Sequence, residues 1–375
     1  MFNQIHIEES IQNEPFTREI TSKLPNIPSQ LISSVKKLKK DHSFSQGKQI
    51  LVLAEQKGQW VKPCPCTPQH VNCGYYVIEN MIGCPYDCTY CYLQNYSNNP
   101  APAVTVNGKR PEQRGADPLV PSEIEGSGSR PALVYANTNS LMKELDTFSQ
   151  KKKILRIGTG EFSDSLAWDD IIPFSKLLVP YFAQRQKHLL ELKTKSINIK
   201  NLLNLDPKGK TVISWSLNSE RSAITEESGC PTISERIKAA KEVSDHGYAL
   251  SFHFDPIIDH SDWEKGYKQT IKEIFENIDP KKILWISLGS LRFPSPMKAM
   301  IEKRHPQSRI TLSEMIPGAD NKLRYFKPVR TKLFQSLYQE IRKYSSDVYV
   351  YLCMERPEVW EKVTIDNSRS HLSFF

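Results

Sequence analysis

The chain has 375 residues, long for one small domain yet within the size at which an α/β barrel closes around a single core. Apolar residues make up 39%, and no run approaches the roughly eighteen consecutive apolar positions of a membrane span, which excludes a helical membrane protein. Fifty basic against 42 acidic residues give a net charge of +8, an excess spread along the chain that suits a polyanionic partner and an ordinary solvated surface about equally.

The N-terminus, Met-Phe-Asn-Gln-Ile-His-Ile-Glu-Glu, has neither a basic n-region nor an apolar h-region, so a cytoplasmic location is expected. Residues 1–60 read as an N-terminal appendage. Within it Leu31, Val35 and Leu38 are spaced as a short amphipathic helix, and Gln49–Ala54 predicts a strand. A cysteine-rich segment, 61–96, follows. Six of the eight cysteines lie between Cys64 and Cys91, with Cys230 and Cys353 apart, a distribution that points to metal or redox chemistry rather than a disulfide framework.

Residues 97–131, with Asn-Asn-Pro-Ala-Pro and Glu-Gly-Ser-Gly-Ser-Arg-Pro, have the composition of a flexible insertion. From 132 to 300, apolar β-type runs at Leu133–Ala136, Ile154–Phe162, Leu189–Thr194, Val212–Leu217, Ala249–Ile257 and Leu284–Leu291 alternate with helical patterns. Thr232-Ile-Ser-Glu235 has the form of a capping box, and Trp263, Tyr267, Ile271, Ile274 and Ile278 form an apolar helical stripe expected in the core. Strand–helix alternation implies a parallel sheet that binds ligands at the carboxyl ends of its strands. Residues 301–375 read as a C-terminal α/β extension.

With Tyr76–Ile82 as the first barrel strand, Cys84, Cys88 and Cys91 fall in the loop just beyond it, as C-x3-C-x2-C followed by Tyr92. Three thiolates can hold three irons of a [4Fe-4S] cluster and leave the fourth open. Structural zinc, the other reading, takes four protein ligands, and no fourth Cys or His adjoins the triplet.

The triplet resembles the radical S-adenosylmethionine (SAM) superfamily, whose open iron binds the amino and carboxylate groups of SAM. Cys-Thr-Tyr-Cys-Tyr-Leu-Gln94, Trp-Ser-Leu-Asn-Ser219, Asp-Trp-Glu-Lys-Gly-Tyr267, Leu-Arg-Phe-Pro-Ser-Pro and Ile-Glu-Lys-Arg-His-Pro306 together resemble the spore photoproduct lyase family. That resemblance implies a partial (β/α)6 radical SAM barrel and radical repair of a methylene-bridged thymine dimer in DNA. It also implies SAM, an electron donor such as flavodoxin or ferredoxin, and nucleic acid as partners. Carried over residue by residue, Ser163, Asp164, Lys195, Ser216 and Asn218 would contact SAM, and Tyr90 and Tyr92 would match hydrogen-relay tyrosines.

One departure stands out. In that family the residue three before the Asp of the Phe-Ser-Asp turn is a cysteine that donates hydrogen to the product radical; here it is Glu161. A carboxylate is ionised at neutral pH and its O–H bond is far stronger than a thiol's, so it does not replace that donor. Gly158-Thr-Gly-Glu161 instead resembles the Gly-Gly-Glu type of motif that binds the methionyl amino group, which assigns Glu161 to SAM. The family's DNA-inserting aromatic hairpin aligns poorly with Pro317–Lys327, where Lys322, Arg324 and Lys327 are candidates for phosphate contacts.

Cys64, Cys66, Cys73 and Cys353 would complete a second metal site, zinc or an auxiliary iron–sulfur cluster; the other reading has Cys353 simply buried on the run Val348–Met354. His253, Asp255 and His260 read as pocket or structural residues, and Cys230 has no partner in the sequence pattern. The leading expectation is a radical SAM enzyme of this family. Its alternatives are a radical SAM enzyme acting on a small molecule or peptide, and a non-enzymatic, metal-stabilised nucleic-acid-binding protein.

Overall fold

The computed structural model describes residues 2–38, 47–64, 66, 69–97, 131–185, 187–318 and 320–363, so most of the expected insertion lies outside the described residues. In chain order the strands are β1 Gln4–Glu8, β2 Ser29–Ile32, β3 Ile50–Ala54, β4 Val61–Pro63, β5 Tyr75–Ile78, β6 Met81–Ile82, β7 Asp87–Cys88, β8 Ala132–Tyr135 and β9 Arg156–Thr159. They continue as β10 Leu189–Thr194, β11 Thr211–Ser216, β12 Glu227–Ser228, β13 Ala249–Ile257, β14 Ile283–Ser290, β15 Arg292–Pro294, β16 Met315–Pro317, β17 Lys322–Tyr325 and β18 Tyr349–Leu352.

Two larger sheets organise the molecule. An eight-stranded sheet in the order β18-β14-β13-β11-β10-β9-β5-β4 curls into a partial barrel, parallel throughout except for β4 at one edge. Helices Phe174–Arg185, Ile233–Asp245 and Lys327–Tyr344 pack against it, which is the α/β architecture expected. The capping box at Thr232 is present, with Thr232 Oγ1 accepting from Glu235 N and Glu235 Oε2 accepting from Thr232 N. Tyr267, Ile271 and Ile274 of the apolar stripe are fully buried.

The second sheet, ordered β2-β1-β3-β8-β6, corrects three readings of the sequence. Leu31 belongs to a strand paired with Ile7, and Val35 starts a single 3-10 turn, so the amphipathic helix expected over 31–38 does not form. Glu8 explains why: its carboxylate accepts from Val35 N and Glu55 N, and edge pairing with β1 outweighs three periodic apolar residues. Leu133–Ala136, expected in the barrel, forms β8 and pairs with β3 instead. The expected first strand, Tyr76–Ile82, is broken into β5 and β6. Glu79, buried and paired with Lys62 at 2.7 Å, lies at the break as the chain leaves the barrel sheet for the other one. Gly83 and the cysteine triplet therefore begin at the junction of the two sheets.

Period-two alternation gives the barrel two unlike faces. Leu190 and Leu192 are buried on one face, while Glu191 and Lys193 alternate with them on the other. On that inner face Arg156 Nε donates to Glu191 at 2.6 Å, Ser214 Oγ donates to Glu191 at 2.7 Å, His253 Nε2 lies 3.0 Å from it, and Arg156 Nη2 donates to Tyr351 Oη at 3.0 Å. The guanidinium also lies over the rings of Trp285 and Tyr75, at 4.5 and 4.8 Å. Residues from β5, β9, β10, β11, β13, β14 and β18 thus meet at one buried ion pair.

Removing one partner of a buried pair costs about 3–5 kcal/mol, because the other charge is left uncompensated. Glu191→Ala is expected to lose stability on that scale in chemical denaturation, whereas Lys241→Ala, which breaks an exposed pair with Asp245, should cost under about 1 kcal/mol. Against the burial that raises it, Arg156 and then Lys193 hold the Glu191 carboxyl well below its ordinary value of 4.5. Its contribution is therefore complete above pH 4.5 and is lost as pH falls through the depressed folded value. The acid limb of a stability–pH curve should be shallower in Glu191→Gln.

Candidate radical SAM site

The cysteine loop is tethered on both sides. Gly83 N donates to Phe162 O at 2.9 Å and Gly83 bridges Ser163, which places Cys84 beside the turn Glu161–Asp164. Cys88 lies on β7, which pairs antiparallel with β12 so that Cys88 faces Glu227. Cys91 N donates to Cys88 O at 3.0 Å. Arg304 clamps the loop, donating to both Asp87 carboxylate oxygens at 2.8 and 3.0 Å and to Gln94 Oε1 at 2.6 Å. Asp87 also pairs with Lys48 at 3.2 Å.

The donor set fits an iron–sulfur cluster better than a single ion. The triplet supplies three thiolates, and no fourth Cys or His adjoins it in the sequence. A cluster attaches each thiolate to a different iron and so needs them further apart. Burial pushes the Cys84 thiol well above its ordinary value and the Cys91 thiol up to about 11, so metal binding would displace their protons. Cys88 differs. Its sulfur lies 3.8 Å from that of Cys230, and the hydrogen bond between them, followed by Lys195, holds Cys88 below its ordinary value. Cys230, unpartnered in the sequence pattern, is thus part of this site.

The facing wall is built from the carboxyl ends of β9, β10 and β11. Gly160 has φ +92°, and a Cβ there would meet Lys193 O at 2.6 Å, so only glycine lets the β9 loop turn this close to β10. Glu161 follows, half-buried and 3.8 Å from Lys193, whose ammonium lies over the Tyr75 ring at 3.9 Å. Asp164 accepts from Leu166 N, Ala167 N, Thr194 Oγ1 and Lys195 N at 2.6–3.0 Å, which commits its carboxylate to fastening the turn to β10. Ser163 lies next to it, half-buried.

Lys195, Ser216 and Asn218 lie at the carboxyl ends of β10 and β11. Ser216 O accepts from Arg236 Nη1 at 3.1 Å, and Asn218 Nδ2 donates to Glu227 Oε1 at 3.2 Å while its Oδ1 accepts from Tyr267. Tyr90 donates to Glu227, Tyr92 donates to the backbone carbonyl of Glu161, and Arg236 pairs with Glu227 at 2.6 Å. Against burial, Glu227 and then Cys88 hold the Lys195 ammonium above its ordinary value. Glu227 and Arg236 escaped the sequence reading, since both sit in charged stretches indistinguishable from solvated surface. Lys193 did not have to: Glu191-Leu-Lys193-Thr-Lys195 alternates at the strand end.

Other expected residues have structural partners. His253 bonds Glu191, Asp255 pairs with Arg292 at 3.0 Å, and His260 bonds Ser219. β16 and β17 do form a hairpin, but Gly-Ala-Asp-Asn321 between them contains no aromatic residue. Arg324 is buried against Asp320, and Lys327 lies 3.7 Å from Glu358.

A cysteine loop at the mouth of a curled, partial α/β barrel is the radical SAM fold. The sequence profile of the family described as "Spore photoproduct lyase" matches residues 125–345, and the chain belongs to that family. It is 27% identical to the spore photoproduct lyase of Bacillus subtilis over 247 residues, a match that covers 64% of this chain and 63% of that protein's length. The spore photoproduct lyase of Clostridium acetobutylicum is 21% identical over 323 residues, covering 84% of this chain and 85% of the relative. Two solved structures of spore photoproduct lyase mutants share the fold at 21% identity, covering 94% of this chain and 99% of theirs. One, with dinucleoside spore photoproduct, has a TM-score of 0.77; the other, with bound AdoMet and dinucleoside spore photoproduct, has 0.74.

Glu227 is the anion shared by Arg236, Tyr90 and Asn218. Glu227→Ala is therefore expected to lower stability by about 3–5 kcal/mol, measured by denaturant unfolding, and to loosen β7 against β12. Arg221→Ala, whose side chain bonds exposed Ser261, should change it by under about 1 kcal/mol.

Proposed function

We propose that this chain is a radical SAM enzyme of the lyase type acting on a thymine photoproduct in nucleic acid. The observation that carries the reading is the backbone contact of Gly83 with Phe162, which sets the cysteine loop against the Glu161–Asp164 turn. Cys84, Cys88 and Cys91 would hold a [4Fe-4S] cluster. When bound, that cluster supplies an electron, delivered by a carrier such as flavodoxin or ferredoxin, that cleaves a C–S bond of SAM and frees a carbon radical.

The chain's own residues divide the remaining work. Glu161, half-buried beside Lys193, offers its carboxylate to the methionyl amino group of SAM. Ser163, Lys195, Ser216 and Asn218 line the rest of the mouth, and Asp164 acts through the backbone it holds. With Cys88 held as a thiolate, the Cys230 thiol 3.8 Å away would donate to its sulfur, a bond that tunes a cluster's potential. Tyr90 and Tyr92 are the hydrogen-relay candidates, and each must leave its hydrogen bond to Glu227 or Glu161 to serve in that way.

The substrate class comes from likeness to lyases solved with dinucleoside spore photoproduct. Glu161 at the position where the resemblance implies a donor thiol favours a second reading, in which the radical acts on a small molecule or peptide. Anaerobic protein given SAM and dithionite is expected to release 5′-deoxyadenosine, and Cys84→Ala should fall to background. Absence of SAM cleavage by the cluster-loaded protein would leave only the non-enzymatic reading. Salt-dependent binding of thymine-lesion DNA supports the first substrate class, and no binding supports the second. Glu161→Gln removes a charged hydrogen bond worth about 1.5–3 kcal/mol, so SAM should bind roughly 10–100-fold more weakly by equilibrium dialysis.

A further inference from the structure

The barrel is open, and its open side carries the remaining thiols. Strand order places β18 at one edge of the sheet and β4 at the other, with no strand hydrogen bonds between them. Cys64, Cys66 and Cys73 lie in the connection between β4 and β5, and Cys353 follows β18 directly. Residues nearly 290 positions apart in sequence therefore come from opposite edges of the same sheet.

The connection folds across the gap. Val71 N donates to Glu355 O at 3.1 Å, Arg356 Nη2 donates to Gln69 Oε1 at 3.2 Å, and Arg324 Nη1 lies 3.3 Å from His70 Nε2. At the two edges the backbone is fixed, with Cys64 N donating to Tyr75 O at 2.8 Å and Cys353 N donating to Leu288 O at 2.7 Å. Cys66 Sγ lies 3.8 Å from Val71 O, on the segment that bonds Glu355 just beyond Cys353, and Cys73 is near enough to bear on Cys64, Cys66 and Cys353.

Carboxylates and cations both border the sulfurs. Arg292 Nη2 donates to Cys353 Sγ at 3.6 Å while pairing with Asp255; Lys322 and Arg292 bear on Cys66, and Lys193 bears on Cys64. These cations also pair with Asp255, Glu161 and Asp320, and metal-bound thiolates would add to the anions they face. Glu161 also bears on Cys64, so the group borders the mouth of the SAM site.

We infer that Cys64, Cys66, Cys73 and Cys353 hold a second iron–sulfur cluster that closes the open edge of the barrel. A single zinc would need all four sulfurs about 2.3 Å from one point, whereas a cluster spreads them over four irons. Four thiolates on four irons leave no open iron, so this centre would bind no SAM. The inference is independent of the radical reading, because it concerns other cysteines and a different readout.

Iron, sulfide and zinc are counted on anaerobically reconstituted protein. The wild type should hold about eight irons, and the triple variant Cys84→Ala, Cys88→Ala, Cys91→Ala about four, still absorbing as an iron–sulfur protein. Cys353→Ser and, separately, Cys66→Ser should each hold about four while retaining the spectral change on SAM addition. The loop variant leaves β18 untouched, which guards against misfolding of Cys353→Ser. Amide hydrogen exchange over 349–353 should quicken in both single variants. Zinc in place of the second set of irons, an iron-free triple variant, or single variants that keep the wild-type iron count would each overturn the inference.

Discussion

The Arg156–Glu191 pair is the constraint on which this architecture turns. A curled sheet with an apolar inner face would fill with side chains and close; here the inner face is polar, and the strands are drawn to one ion pair at its floor. Such a pair is weak evidence of stability by itself, since desolvation offsets much of the attraction. Its effect is to fix which strand faces inward where. With Glu191 inward, Lys193 and Lys195 must follow it up the same face, and the same parity carries Ser214 to Ser216 and Asn218, His253 to Asp255, and Tyr351 to Cys353.

That register delivers functional groups to the carboxyl ends of the strands without help from flexible loops. The cysteine loop is then positioned from outside the barrel floor: Gly83 is bridged to Ser163, β7 is paired to β12, and Arg304 grips Asp87 and Gln94. Asp164 illustrates the division of labour. The four donors its carboxylate accepts from are all internal to the fold, so it shapes the turn that presents Glu161 and Ser163.

Much of the barrel was legible because its strands are apolar runs separated by helical patterns, and the cysteine triplet was legible because its spacing has few uses. The N-terminal sheet was not. Leu31, Val35 and Leu38 satisfy a helical period by chance, and only the Glu8 carboxylate, 27 residues before Val35, shows why an extended edge and a tight turn are preferred. The split of β5 from β6 was hidden for a similar reason, since a buried Glu79–Lys62 pair looks like ordinary polarity until its partner is known. At the site, residue types with distinctive chemistry were found, whereas Glu227 and Arg236 act through mutual burial, which no local pattern reports.

As proposed, the Cys84–Cys91 loop and the Glu161 turn would jointly form a cluster site with one iron open to SAM. Electron–nuclear double resonance on the reduced, reconstituted protein, with SAM carrying nitrogen-15 at its methionyl amino group, tests it directly. A nitrogen-15 coupling is expected, and it should disappear in Cys88→Ala. A fully loaded, reduced cluster whose spectrum is unchanged by SAM would contradict it.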